Sequence, residues 1–129
     1  MGQQKITIKL VSPREKYRRM GTNIEYGEFE IDALCHKGMA VHANYITYDG
    51  TTIKRNGGWT VSHASTGLSA NITGQAIRYK RDAIAVMEKI ADMADWETND
   101  PGALFYSLPM EIRGQVAEAF HSVELLGGA

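Results

Sequence analysis

The residues with the most reactive side chains are four histidines, one cysteine and several serines. A nucleophile, a base and an acid can be chosen from them, as Ser62 or Ser65 with His63 and Asp49. These are common residue types, and their presence without geometry gives no specificity for a triad. No two histidines have the paired spacing of a zinc site. We therefore expect no catalytic residue, no metal and no cofactor, and we interpret His63 as a half-buried strand residue with a hydrogen-bonded ring.

Arginine offers a different chemistry, because a guanidinium group binds phosphate through paired hydrogen bonds. Arg113 is the only arginine after Arg81, and it borders the apolar stripe of a predicted helix. Gly114 beside it would permit close approach of a ligand. The alternative is an ordinary surface arginine that pairs with Glu111 or Glu118.

Bases and aromatic residues are mixed in two segments, at residues 17–19 and 78–81. Such mixtures are typical of nucleic-acid binding, but nine acids after residue 81 would repel a long polyphosphate backbone. A short anionic ligand needs only a few fixed arginines, a ring for stacking and some neutral donors. The pattern favours a small ligand over a long nucleic acid.

The net charge of -1 conceals a strong segregation of charge along the chain. Residues 1–21 carry six bases and one acid, whereas residues 82–129 carry two bases and nine acids. One interpretation is a basic loop and a helical surface solvated by acids. The other is association, in which the basic segment of one subunit faces the acidic helices of another or an anionic ligand. If subunits associate in this way, they form a homodimer or a larger homo-oligomer.

The length of 129 residues fits one domain, residues 1–129, with a core that needs neither disulfide nor metal. Cys35 has no second cysteine to pair with, and its apolar neighbours indicate a small buried side chain. No apolar run approaches the roughly 20 residues of a membrane span, and the first residues do not resemble a signal peptide. We expect a cytoplasmic protein without membrane contact.

Alternating apolar and polar residues predict strands between about residue 4 and residue 73. In the segment 57–67, Trp59, Val61 and His63 lie on one predicted face. Glycine-containing pairs predict the turns, because glycine tolerates the positive φ of tight hairpins. These pairs are Lys37-Gly38, Asp49-Gly50 and Asn56-Gly57. The spacing predicts about six strands in a mostly antiparallel meander.

After residue 78 the apolar spacing becomes helical. It predicts one amphipathic helix at about residues 79–97 and a second at about residues 107–126, with Ser107 as a plausible cap and Pro109 in the first turn. The predicted fold class is α+β, an antiparallel meander followed by two C-terminal helices.

Strands that include Gly-Gly-Trp-Thr-Val-Ser-His-Ala-Ser-Thr-Gly at residues 57–67, followed by two helices, resemble a family of small phage proteins. These are the first-described anti-Thoeris proteins, the phage sponges. The resemblance covers most of the chain as an order of elements and contains no diagnostic motif.

The resemblance implies a protein without enzymatic activity that sequesters an immune signal. The implied ligand is a cyclic ADP-ribose isomer, with cyclic oligonucleotides in separate sites, and the implied setting is the cytoplasm of a phage-infected host. It also implies oligomers with pockets at subunit junctions. The implied ligand-binding residues are Arg113, Arg18 and Arg19 for phosphates, and Tyr106 and Asn99 for base or ribose.

Two other functions compete with the nucleotide binder. Acidic helices can mimic the charge of a nucleic acid, so the chain is alternatively a protein-binding inhibitor of a host defence complex, similar to an anti-CRISPR protein. An enzyme that consumes the signal is the third hypothesis.

Overall fold

The computed structural model describes residues 1–10, 27–71, 75–97 and 108–126. Within these ranges the chain forms four strands and two helices, so the α+β class is confirmed. Neither described helix is long and apolar enough to cross a membrane. The elements are β1 (Gly2–Leu10), β2 (Gly27–His36), β3 (Met39–Ile46), β4 (Lys54–His63), α1 (Lys80–Ala91) and α2 (Met110–His121).

The four strands form one antiparallel sheet in the order β1-β2-β3-β4, as a meander does. β1 pairs with β2 along its whole length, and β3 pairs with most of β4. β2 and β3 pair over only three residue pairs, beside the turn at Lys37 and Gly38. This turn was predicted, and both of its residues have positive φ, 50° and 86°, as a type I′ hairpin turn requires.

The prediction of about six strands is not confirmed. The predicted strand at residues 51–55 is divided, because residues 54 and 55 already belong to β4 and the preceding residues form the β3–β4 connection. The predicted strand at residues 68–73 is reduced to a single bridge, Ser62 with Ser69, and residues 72–74 lie outside the described ranges. Further along, Ile77 bridges both Trp59 and Leu125, so short segments extend the sheet beyond β4 without forming regular strands.

The predicted turn at Asn56-Gly57 is wrong, because the strand continues through it. Tyr45 pairs with Arg55 and Ala43 pairs with Trp59, so residues 56–58 stand opposite Asn44 as a bulge. Gly57 and Gly58 have φ values of 82° and 78°, which glycine adopts without steric cost. Asn56-Gly57 is therefore part of a bulge within β4 and does not reverse the chain.

Two hydrophobic clusters lie on opposite faces of the sheet. On one face β3 and β4 contribute Met39, Val41 and Val61, and both helices pack there through side chains such as Val86 and Phe120. The second cluster lies mainly within the β1–β2 hairpin and includes Ala40 of β3. Its buried members are Ile6, Ile8, Ile31, Ala33, Cys35 and Ala40.

Both helices are shorter than predicted. α1 ends at Ala91, and Trp96 lies beyond it, buried, with its indole N–H donating to the carbonyl of Ile90 at 2.7 Å. α2 begins at Met110, with Pro109 at the N-cap and no side-chain cap, and Ser107 lies outside the described residues. The chain therefore leaves the helix after Ala91 and buries the Trp96 indole where further turns of α1 were predicted.

Candidate functional site: a cation–aromatic surface at the start of α1

Two exposed or half-exposed rings near the start of α1 are each flanked by two cations. The guanidinium carbon of Arg55 lies 5.6 Å from the ring centroid of Trp59, and Lys80 Nζ lies 5.1 Å from it. Arg78 and Arg81 lie 5.6 and 5.1 Å from the ring centroid of Tyr79, which is 41% exposed. We call these six residues the cation–aromatic surface: Arg55, Trp59, Arg78, Tyr79, Lys80 and Arg81.

Backbone pairing brings these distant parts of the sequence together. The amide of Trp59 donates to the carbonyl of Ile77 and the amide of Ile77 donates to the carbonyl of Trp59, both at 2.8 Å. Residues 78–81 follow directly, so the first residues of α1 lie beside β4. The bulge at residues 56–58 separates Arg55 from Trp59 in sequence, yet the two side chains are in contact.

Gly58 holds this arrangement close. A Cβ at residue 58 would lie 2.8 Å from Ala76 Cβ, from the carbonyl oxygen of Ile77 and from Leu126 Cδ1. Only a residue without a side chain allows the segments before α1 and after α2 to pack this near to β4. Gly58 therefore determines where the cation–aromatic surface lies, although it has no side chain to contact a ligand.

The cations of this surface are only partly neutralised. Arg78 lies 3.6 Å from Glu124 and Arg81 lies 3.9 Å from the partly buried Asp82, which are long separations for ion pairs. In the described part of the chain, neither Arg55 nor Lys80 has a carboxylate within 4.0 Å. Exposed ion pairs contribute about 0–1 kcal/mol, so an incoming anion displaces little stabilising energy.

The two cations at the start of α1 also interact unfavourably with the helix dipole. Lys80 and Arg81 are its first two residues, where the partial positive charge of the helix N-terminus disfavours a cation by about 0.3–1 kcal/mol. Asp82 in the same turn offsets part of this, and no side chain caps the helix. Local arrangements that cost stability are common at functional sites.

A cleft of about 380 Å³ lies elsewhere, beside the β2–β3 turn. Its cation, Lys37, is hydrogen-bonded to Asp92 at 2.8 Å, which raises the pKa of the lysine and lowers that of the aspartate. Burial raises the pKa of the Cys35 thiol, which disfavours its thiolate form. The cleft is less suited to an anion than the cation–aromatic surface. It is lined by Gln4, Cys35, His36, Lys37, Gly38, Ala64, Ser65, Trp96 and Glu97.

The residues considered for a triad are not assembled as one. The Nε2–H of His63 donates to the carbonyl of Trp96 at 2.6 Å, so this nitrogen cannot take a proton from Ser65, although the hydroxyl lies 3.2 Å away. Ser62 donates instead to His42. Asp49 lies in the connection before β4, at the opposite end of that strand from His63. His63 itself is fully buried, not half-buried as predicted, while its hydrogen-bonded ring is confirmed.

A serine and a histidine do form a buried pair inside the sheet. The hydroxyl of Ser62 donates to His42 Nε2 at 2.8 Å, while His42 Nδ1–H donates to the carbonyl of Ala43 at 2.7 Å. The two side chains belong to residues only 2% and 4% exposed, so a substrate has no access to the hydroxyl. The pair satisfies buried polar groups, and among the described residues no cluster of three potential ligands suits a metal ion.

Of the predicted ligand-binding residues, only Arg113 lies in the described ranges. It is exposed on α2, and its Nε–H donates to the carbonyl of Leu108 at 3.0 Å. A Cβ added at Gly114 would meet nothing within 4 Å, so the glycine faces open space and not another backbone. Arg18, Arg19, Asn99 and Tyr106 lie outside the described residues. None of the contacts described above joins Arg113 to the cation–aromatic surface.

One pattern in the sequence indicates this surface, the mixture of bases and aromatics at residues 78–81. Arg55 and Trp59 were missed as partners of that segment, because they meet it only across the bulge and the Trp59–Ile77 pairing. Comparisons with protein-family models, curated proteins and solved structures found no match for this chain.

Proposed function

We propose that the protein binds and sequesters a small anionic nucleotide without cleaving it. The ligand class is a cyclic ADP-ribose isomer or a cyclic oligonucleotide, and the setting, which follows from the resemblance to the anti-Thoeris sponges, is phage counter-defence in the host cytoplasm. The observation that carries the proposal is the Trp59 ring with Arg55 and Lys80 over it.

The surface supplies the two interactions that a nucleotide requires. An aromatic ring stacks a base for about 1–3 kcal/mol, and a cation binds a phosphate through charge-assisted hydrogen bonds. Tyr79, with Arg78 and Arg81 beside it, provides a second ring with cations close to the first. The two rings lie on segments joined through the Trp59–Ile77 pairing, and we propose that one ligand contacts both.

Sequestration needs no chemistry beyond binding. A protein that binds the signal more tightly than its receptor does, and is present in excess, lowers the free signal by mass action. Arg113 is the candidate ligand contact on α2. Arg18, Arg19, Tyr106 and Asn99 are further candidates from other parts of the chain. A homodimer or larger homo-oligomer would bury the ligand between subunits and strengthen its contacts with the cations.

A retention experiment tests this function. Purified protein is incubated with cyclic ADP-ribose isomers and cyclic oligonucleotides, freed of unbound ligand, heated, and the released material is identified by mass spectrometry. Release of intact nucleotide supports the proposal. Release of a cleaved product would contradict sequestration and indicate an enzyme. Retention of no nucleotide would favour the protein-binding inhibitor.

A further inference from the structure

The chain contains one Asn-Gly pair, Asn56-Gly57, and both residues are exposed next to Arg55. We propose that Asn56 is a site of spontaneous deamidation that places a negative charge next in sequence to Arg55 of the cation–aromatic surface. The consequence for ligand binding rests on the function proposed above, whereas the modification itself does not.

The reaction needs only the chain and water. The backbone nitrogen of Gly57 attacks the side-chain amide carbon of Asn56, a C–N bond forms, and ammonia leaves with the proton lost from nitrogen. The product is a five-membered succinimide. Water then opens this ring by adding to one of its two carbonyl carbons, and the residue becomes aspartate or isoaspartate. No oxidation or reduction occurs.

The local structure favours the attack. Residues 56–58 are passed over by the pairing register of β3 and β4 and form a bulge, where the regular ladder is locally disrupted. Gly57 has φ 82°, and a Cβ there would have a single neighbour, Leu126 Cδ1 at 3.9 Å. Gly57 therefore has no side chain to hinder the attack, and the space that a Cβ would occupy is nearly open.

An Asp-Gly pair in the same chain, Asp49-Gly50, is protected from succinimide formation by hydrogen bonds. Asp49 Oδ1 accepts hydrogen bonds from the amides of Thr51 and Thr52 at 2.9 and 2.8 Å, and the amide of Gly50 donates to Thr47 Oγ1 at 3.0 Å. The attacking nitrogen is engaged and the carboxylate is held ionised, with its pKa lowered by the Thr51 and Thr52 amides. Asp49 therefore serves as an internal reference that should not isomerise.

A carboxylate at residue 56 weakens the surface as an anion site. It is adjacent in sequence to Arg55, the cation over Trp59, and repels a phosphate bound by that arginine. For an exposed site we expect about fivefold weaker binding of cyclic ADP-ribose, which corresponds to one charge a few ångströms away in a largely aqueous dielectric. The site would then lose affinity with the age of the protein.

The test is to incubate the full-length protein at mildly alkaline pH and to follow its peptides by mass spectrometry. The peptide with Asn56 should gain the mass of an amide-to-acid conversion before those with Asn44 or Asn71, and Asn56→Gln should abolish the change. Conversion of Asn56 no faster than that of Asn44 would overturn the modification site.

The charge effect is tested with a matched pair, Asn56→Asp and Asn56→Gln. We expect cyclic ADP-ribose to bind Asn56→Asp about fivefold more weakly than Asn56→Gln. Equal affinities of the two variants would overturn the regulatory consequence. If Asn56 converts but neither variant nor the parent protein binds a nucleotide, the modification site is supported and the proposed function is the part that fails.

Discussion

His63 Nε2 donates a hydrogen bond of 2.6 Å to the carbonyl oxygen of Trp96, which joins the end of β4 to the segment after α1. The hydroxyl of Thr66 lies 2.7 Å from the other ring nitrogen, so both nitrogens have partners. Gly38 packs at the same place, since a Cβ on it would lie 2.7 Å from the Trp96 backbone. His63, which was considered for a catalytic triad, is a structural link between the sheet and the segment that follows α1.

Replacing His63 should destabilise the fold. His63→Ala leaves the Trp96 carbonyl and the Thr66 hydroxyl without this partner and opens a cavity, so we expect a loss of about 3 kcal/mol in the free energy of unfolding. His121→Ala, at an exposed position on α2, is the control and should change stability by less than about 0.5 kcal/mol. Urea denaturation measures both, and equal losses would contradict the structural role of His63.

Stability should fall in mild acid because of His42. Burial lowers its pKa below the ordinary value of 6.5, so near that pH the unfolded chain takes up a proton that the folded chain does not. Lowering the pH through this region therefore favours unfolding, by at most about 1.4 kcal/mol per pH unit for one group. Its close neighbours are neutral: the Ser62 hydroxyl, the Ala43 carbonyl and the Tyr45 ring at 6.4 Å.

The comparison is urea denaturation at about pH 7.5 and about pH 5.5 for the parent protein and for His42→Gln. The variant is less stable at neutral pH but loses less stability on acidification. The same pH dependence in both proteins would show that His42 is not the group responsible.

The two glycines of the bulge should respond very differently to alanine. Gly57→Ala adds a side chain in open space at positive φ, so we expect a cost of about 1–2 kcal/mol. Gly58→Ala has the same backbone cost and also places a Cβ 2.8 Å from Ala76, Ile77 and Leu126, which adds about 1–3 kcal/mol. Thermal unfolding ranks the two, and a smaller effect at Gly58 would argue against the close packing of these segments.

Arg113→Ala tests the contact proposed from α2. Because the side chain is exposed, loss of its hydrogen bond to the Leu108 carbonyl should lower the free energy of unfolding by only about 1 kcal/mol. We expect it to retain less cyclic ADP-ribose, since a charge-assisted hydrogen bond to phosphate would be lost. Unchanged retention would remove Arg113 from the ligand-binding residues and leave the cation–aromatic surface as the remaining candidate within the described chain.

Local patterns predicted the parts of the fold that depend on local chemistry. Lys37-Gly38 forms the expected turn, and Val61 and His63 lie on the predicted inner side of β4. Asn56-Gly57 has the same kind of turn signal, yet the strand runs through it because Trp59 pairs both with Ala43 and with Ile77. Those partners are distant in sequence, so no local pattern distinguishes a bulge from a turn here.

The candidate site was only half predictable for the same reason. Arg78, Tyr79, Lys80 and Arg81 are consecutive, and their composition alone indicated binding of an anion. The contact of Arg55 with Trp59 depends on the bulge, and the approach of Lys80 to Trp59 depends on strand pairing to Ile77. Trp59 is central to the cation–aromatic surface only because tertiary contacts bring Arg55 and Lys80 to its ring.

The most direct test of the account is the affinity for cyclic ADP-ribose of the Arg55→Ala/Lys80→Ala double variant, measured by calorimetry. Lys89→Ala is the matched control, because it removes an exposed cation from the last turn of α1. We predict a loss of roughly 100-fold or more in the double variant, from two charge-assisted contacts of about 1.5–3 kcal/mol each, and an unchanged affinity in the control. Tight binding that persists in the double variant would contradict the assignment of this surface as the nucleotide site.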